Sequence, residues 1–132
     1  MEKDTVTVLQ GQTRHYEGNG RKFGYPTANI ATETTLTDGV YFGFADLAGY
    51  NHQPALIFVG VPVTVGDTER RVEAHLLDID DVDYYDQPLK LQVEHFYRAN
   101  RKLDSIDALL AIMKQDEAAA RHWFAVKATL RG

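Results

Sequence analysis

The hydrophobic pattern of this chain changes period once, near Asp104, and that change restricts the architectures open to it. Before it the pattern is that of strands. Leu89-Lys90-Leu91-Gln92-Val93-Glu94-His95-Phe96 alternates almost to its end. Successive strand side chains point to opposite faces, so Leu89, Leu91 and Val93 share one face. Arg71-Val72-Glu73-Ala74-His75-Leu76-Leu77 does the same, with Val72, Ala74 and Leu76 on one side and Glu73 and His75 on the other. Thr5 to Leu9 is short and β-branched. Asp38-Gly39 is a turn signal ahead of Val40 to Ala45, and Gly66-Asp67 is another. Ala55 to Val59 is an apolar run of strand length between Pro54 and Gly60. After the change, Ile106, Leu109, Leu110 and Met113 recur at helical spacing behind Asp104-Ser105, either of which can cap a helix. Ala118 to Ala120 continue the helical preference, and Trp123 and Phe124 extend the stripe. Short strands with turns between them, then one amphipathic helix, predict an antiparallel barrel or sandwich with the helix packed on its face or mouth.

The length, 132 residues, suits one domain over 1–132, with a strand-rich part about 5–97 and a helical part about 104–127. A chain of this size buries roughly two-thirds of its unfolded surface and folds without metal or disulfide. The absence of cysteine excludes a disulfide framework and a thiolate metal site. A net charge of −5 argues against general nucleic-acid binding, which wants a basic face. Met1-Glu2-Lys3-Asp4 opens no signal peptide, and no apolar run approaches the ~20 residues of a membrane span. The expectation is a cytoplasmic protein with no membrane attachment, no nucleic acid and no obligate protein partner.

The chemistry concentrates before the second strand-like segment. Gly18-Asn19-Gly20-Arg21-Lys22-Phe23-Gly24-Tyr25 leads into Pro26-Thr27-Ala28-Asn29. Closely spaced glycines let backbone N–H groups approach an anion, and Arg21 and Lys22 add charge, which describes a phosphate-binding nest. It is no Walker loop, lacking the G-x-x-x-x-G-K-[ST] pattern. Nor does it open a helix, since Pro26 pushes Tyr25 toward extended geometry. Glycines before a proline also mark ordinary turns. The Thr27 hydroxyl and Asn29 carbonyl suit a hard cation such as Mg²⁺, which takes oxygen ligands alongside substrate phosphates, and they share a face if the segment is extended. Turns and caps use the same residue types. Glu73 reads either as a solvated carboxylate or as a general base, with His75 on its face. The acidic stretch Asp78 to Asp86 reads as a solvated loop, and Tyr84 and Tyr85 as packing or base-stacking rings. No cysteine nucleophile is available and no G-x-S-x-G occurs.

Four stretches, in order, resemble the riboflavin kinase family, the flavokinase domain that also forms the C-terminal half of bacterial bifunctional FAD synthetases. Gly18 to Ile30 resembles the family's glycine-rich loop and Pro-Thr-Ala-Asn signature. Asp38-Gly39-Val40-Tyr41-Phe42-Gly43 is like its Gly-Val-Tyr strand, and Val72-Glu73-Ala74-His75-Leu76-Leu77-Asp78 like its Val-Glu-x-His strand. Phe96-Tyr97-Arg98, Leu103-Asp104-Ser105-Ile106 and Ile112-Met113-Lys114-Gln115-Asp116 are similar to its C-terminal elements. The resemblance covers about Val6 to Arg121.

The resemblance implies a mainly β fold, a six-stranded antiparallel Greek-key barrel with a C-terminal α-helix. It implies transfer of the γ-phosphoryl of ATP to the ribityl 5′-hydroxyl of riboflavin, giving FMN and ADP with Mg²⁺ or another divalent cation. Carried over, Glu73 matches the catalytic base and Thr27 and Asn29 the metal positions. Gly18, Gly20, Arg21, Lys22 and Tyr85 match the ATP-binding positions, and Arg98, Arg101, Leu103 and Asp116 the flavin-binding ones. Departures are visible too. Tyr16 stands for the loop's first glycine and Asn19 for its arginine, Val61-Pro62-Val63-Thr64 replaces a Pro-Thr-Phe pattern, Asp86 replaces Tyr-Gly near the nucleotide flap, and Leu103 replaces an aromatic. The nucleotidyltransferase half is missing, so FAD synthesis is not expected. A second reading is a catalytically weak flavin- or nucleotide-binding module of the same fold, acting as carrier or regulator.

Overall fold

The computed structural model describes residues 6–14, 27–31, 34–61, 69–80 and 84–131. Six strands, β1 (Thr7–Arg14), β2 (Ala28–Ile30), β3 (Gly39–Leu47), β4 (Tyr50–Gly60), β5 (Arg71–Leu76) and β6 (Pro88–Arg98), precede one helix, α1 (Ile106–Arg131). The strands close into a barrel in the order β1-β2-β5-β4-β3-β6, and every neighbouring pair is antiparallel. The connections β2→β3 and β5→β6 join strands that are not neighbours, as a Greek key requires. This is the barrel alternative of the barrel-or-sandwich expectation.

The alternation seen in the sequence sorts residues to the two sides of the wall. Ile30, Ile57, Val59, Val72, Ala74, Leu89 and Leu91 face inward and are almost fully buried. Tyr84 joins this core and donates its hydroxyl to the Asp80 carbonyl at 2.6 Å, which makes it a packing residue. β1 starts later than the Thr5–Leu9 reading and runs on through polar residues to Arg14. Its pairing with Pro88 to Val93 supplies the ladder whatever the local propensity, while Gly11 sits against the Ile30 side chain and Thr13 is buried. β4 extends past Pro54 to Tyr50. Pro54 accepts from Leu77 N at 2.9 Å, so its missing N–H points to the β5 side just where that strand stops. Ala48 and Gly49, both at positive φ, form the two-residue turn that the right-handed twist of the β3–β4 hairpin favours.

β3 and β6 come unusually close at Gly43. A Cβ there would fall on the Gln92 carbonyl oxygen and 3.2 Å from Ile57 Cδ1. Gly43→Ala is therefore expected to destabilise the fold by about 1–3 kcal/mol, as overpacking does, and a urea midpoint for the variant equal to that of the parent would contradict this.

α1 lies on the outer surface of the wall. Ser105 is its cap, accepting from Ala108 N at 3.1 Å through Oγ. Trp123 and Phe124 pack on Phe42, with ring centroids 5.9 and 6.2 Å away, and Phe124 meets Phe44 edge-on at 5.3 Å. Ion pairs join the middle and C-terminal half of the helix to the barrel. Arg98 grips Asp116 with two hydrogen bonds of 2.9 and 2.6 Å, Arg121 grips Asp78 with two of 3.0 and 2.9 Å, and Lys127 meets Glu94 at 2.9 Å. Asp78 is an exposed turn residue, as the solvated-loop reading has it, and within that setting it pairs with Arg121. The expected apolar stripe is only partly covered. Ile106 is exposed and Leu109, Leu110 and Met113 are half-buried, whereas Asp116 and Ala120 are buried. The helix bears on the barrel through its middle and C-terminal half, where the aromatic rings fill the space.

Candidate active site

The site grows from the shortest strand. Ala28 and Ile30 of β2 point into the core, so Asn29 between them points outward. On β5, Val72, Ala74 and Leu76 point inward, which sets Arg71, Glu73 and His75 on the outer face. The β2–β5 register pairs Asn29 directly with Glu73. Directly opposed residues share a face, with Cβ atoms about 4.5–5.5 Å apart. On the other side of β5, Phe58 of β4 stands opposite Glu73 and Leu56 opposite His75. Two residues far apart in sequence thus meet through ladder pairing alone.

Glu73 is tightly placed. Its Oε1 lies 2.7 Å from His75 Nε2 and its Oε2 3.9 Å from Arg71 Nε, and its side chain is 16% exposed. Burial works against its charge, but the His75 hydrogen bond, the His75 ring and the Arg71 guanidinium outweigh it and hold the carboxyl below its ordinary value of 4.5. Glu73 is therefore ionised at neutral pH and offers only acceptors, so the hydrogen shared with His75 belongs to Nε2.

Asn29 presents the complementary feature. It is 7% exposed, and among the described residues its Oδ1 accepts no hydrogen bond. A buried acceptor left unpaired costs about 1–3 kcal/mol and asks for a reason. An amide oxygen at a protected spot, beside an ionised carboxylate, fits a hard cation that also takes substrate oxygens. No group of three or more His, Cys, Asp or Glu able to hold a metal occurs among the described residues. A cation here would draw on neutral oxygens and on its substrate.

The other sequence-derived candidates fall in different places. Thr27 is half-buried, two residues before Asn29 and at the threshold of β2. Gly18, Gly20, Arg21 and Lys22 lie outside the described residues. Tyr85 is half-buried next to the core residue Tyr84. Arg98 and Asp116 grip one another where β6 meets α1, while Arg101 is exposed and Leu103 half-buried. The sequence reading did not foresee the His75–Glu73 bond. Its only trace was the spacing of two along one strand face, which brings side chains together without saying that they bond.

The fold, a closed barrel of six antiparallel strands followed by a helix, is of the flavokinase type. The sequence pattern of the flavokinase family, described as riboflavin kinase, matches residues 4–124. The chain is 29% identical over 136 residues to the riboflavin kinase of Pyricularia oryzae, covering 86% of this chain and 68% of that protein. It is 29% identical over 119 residues to the bifunctional riboflavin kinase/FMN adenylyltransferase of Escherichia coli, of which it spans 38%, with 89% of this chain covered. The crystal structure of riboflavin kinase from Trypanosoma brucei superposes with a TM-score of 0.68 at 20% identity, over 89% of this chain and 79% of that one, a likeness of fold. The chain belongs to the riboflavin kinase family. Among the described residues, no helix is long and apolar enough to cross a membrane.

Proposed function

We propose that this chain transfers the γ-phosphoryl group of ATP to the ribityl 5′-hydroxyl of riboflavin, releasing FMN and ADP. The observation that carries the reading is the cross-strand pairing of Asn29 with Glu73, which sets a protected oxygen donor next to an ionised carboxylate. Phosphoryl transfer asks the protein chiefly for positioning and charge stabilisation. Asn29 and Thr27 would hold a divalent cation such as Mg²⁺, which when bound neutralises phosphate charge. Glu73 would orient the attacking hydroxyl and accept its proton late, when the loose transition state has already formed. That timing suits a carboxylate whose basicity is held low. Gly18, Gly20, Arg21, Lys22 and Tyr85 would serve the nucleotide, and Arg101 and Leu103 the flavin, with Arg98 and Asp116 shaping that end through their ion pair. The barrel and α1 would act as one domain, a reading supported by the ion pairs between them. The cysteine-free sequence supports work in a reducing compartment, the cytoplasm.

The direct test is incubation of the pure protein with ATP, Mg²⁺ and riboflavin. FMN and ADP are expected in equal amounts, and failure of either product to form would overturn the reading. Asn29→Ala is expected to weaken Mg²⁺-dependent ATP binding at least tenfold while leaving riboflavin binding within about twofold, since it removes a metal oxygen and no flavin contact. Separate titrations of the two ligands check this, and equal losses for both would remove Asn29 from the metal site.

A further inference from the structure

The geometry points to His75 as the positioning residue of Glu73: its Nε2–H holds Oε1 and so leaves Oε2 as the oxygen offered to the attacking hydroxyl. This rests on the reading of Glu73 as the base. Three features of the wall support it. The bond is short, 2.7 Å, between two side chains of which 17% and 16% are exposed, so water competes poorly for it. The second oxygen lies 3.9 Å from Arg71 Nε, beyond hydrogen-bond range, so this neighbouring cation does not tie it down as His75 ties Oε1. The groups facing Glu73 from the adjacent strands are Asn29 on β2 and Phe58 on β4, and neither is titratable.

The need for such a holder follows from the side chain itself. Glu has three torsions, and the last is broad and roughly two-fold, so an unheld carboxylate samples many orientations. A base must stand about 2.6–3.2 Å from the proton it takes, and a displacement near 1 Å costs on the order of 10²-fold in rate. Histidine two residues along the same strand face can reach the carboxylate without crossing the ladder. Its hydrogen bond to the carboxylate also lowers the basicity of Glu73. The arrangement gives up proton affinity for fixed orientation, a favourable exchange where the proton moves late.

The test is a four-variant kinetic series on FMN formation. His75→Phe keeps the ring and removes the donor. It is expected to lower kcat about 10–100-fold with the KM values for ATP and riboflavin within about twofold, because the oxygen is misplaced only for the reacting step. His75→Gln carries an amide N–H near the position of Nε2 and is expected to recover kcat to within about fivefold of the parent. In the Glu73→Gln background, adding His75→Phe should lower kcat no further, since the residue acts only through that carboxylate. Unchanged kcat in His75→Phe, or losses that multiply in the double variant, would overturn the proposal while leaving Glu73 as the base. Unchanged kcat in Glu73→Gln would overturn the base reading, and the proposal with it. A melting temperature within a few degrees of the parent shows that the fold is kept. Should His75→Phe melt below the assay temperature, His75→Leu carries the same comparison.

Discussion

Replacing Glu73 by Gln is expected to reduce the turnover number at least tenfold, and on the order of 10²-fold, with riboflavin affinity close to that of the parent. The substitution keeps the volume of the side chain and removes its negative charge and one acceptor. It acts on the step at which the hydroxyl proton leaves, so the loss belongs in kcat rather than in KM. Steady-state rates of FMN formation together with fluorescence titration of riboflavin separate the two, and a turnover number equal to that of the parent would take Glu73 out of the mechanism. The pH dependence carries a sign. Glu73 is held below its ordinary value of 4.5, so its contribution to folding stability is present above that pH and is lost as the pH falls through the lower folded value. In the kcat/KM profile, which reports ionisations of the ligand-free protein, the limb that belongs to Glu73 therefore lies on the acid side of 4.5.

Arg98→Ala is expected to be the most destabilising single change among the ion-pair residues. Asp116 is buried and receives two side-chain hydrogen bonds from Arg98, at 2.9 and 2.6 Å. Truncating Arg98 leaves a buried carboxylate without its cation, which typically costs about 3–5 kcal/mol. For a chain of this length that lowers the melting temperature by roughly 10 °C or more. The surface pair Arg121–Asp78 is exposed on both sides, so Arg121→Ala should cost no more than about 1 kcal/mol. Thermal melts without any ligand discriminate between roles. If Arg98 served only to hold flavin, ligand-free melting would not move, and such a result would refute the clamp. The double variant Arg98→Leu with Asp116→Leu is expected to recover a large part of the lost stability, because a buried pair replaced on both sides leaves no orphaned charge.

The sequence and the structure agree most closely where the pattern is local. β5 and β6 alternate cleanly, and both strands appear within two residues of where the alternation places them. The Asp104-Ser105 pair left the helix start open by one residue, and the hydrogen bond from Ala108 N to Ser105 Oγ decides it. The helical stripe was misjudged at Ile106, because periodicity identifies a face but not how far along its length that face finds a partner. The short strand β2 carried no strand signal of its own. Three residues cannot show a period, and they are held as a strand by neighbours on both sides. Pro54 looked like a boundary and is not one, since its missing donor falls past the end of the adjacent strand.

The chain's own residues fixed which side chains share a face and which family motifs are present, because those depend on dihedral preferences and on spacing along one segment; the Ala48-Gly49 turn was not read from them, and the Gly66-Asp67 turn lies outside the described residues. Closure of the barrel decided everything that depends on distant segments meeting. It chose the register that sets Asn29 beside Glu73, the approach of Arg98 to Asp116, and the outward aspect of the wall that carries His75. Cross-strand register is set by hydrogen bonds and packing summed over the whole sheet, and no stretch of sequence contains that sum.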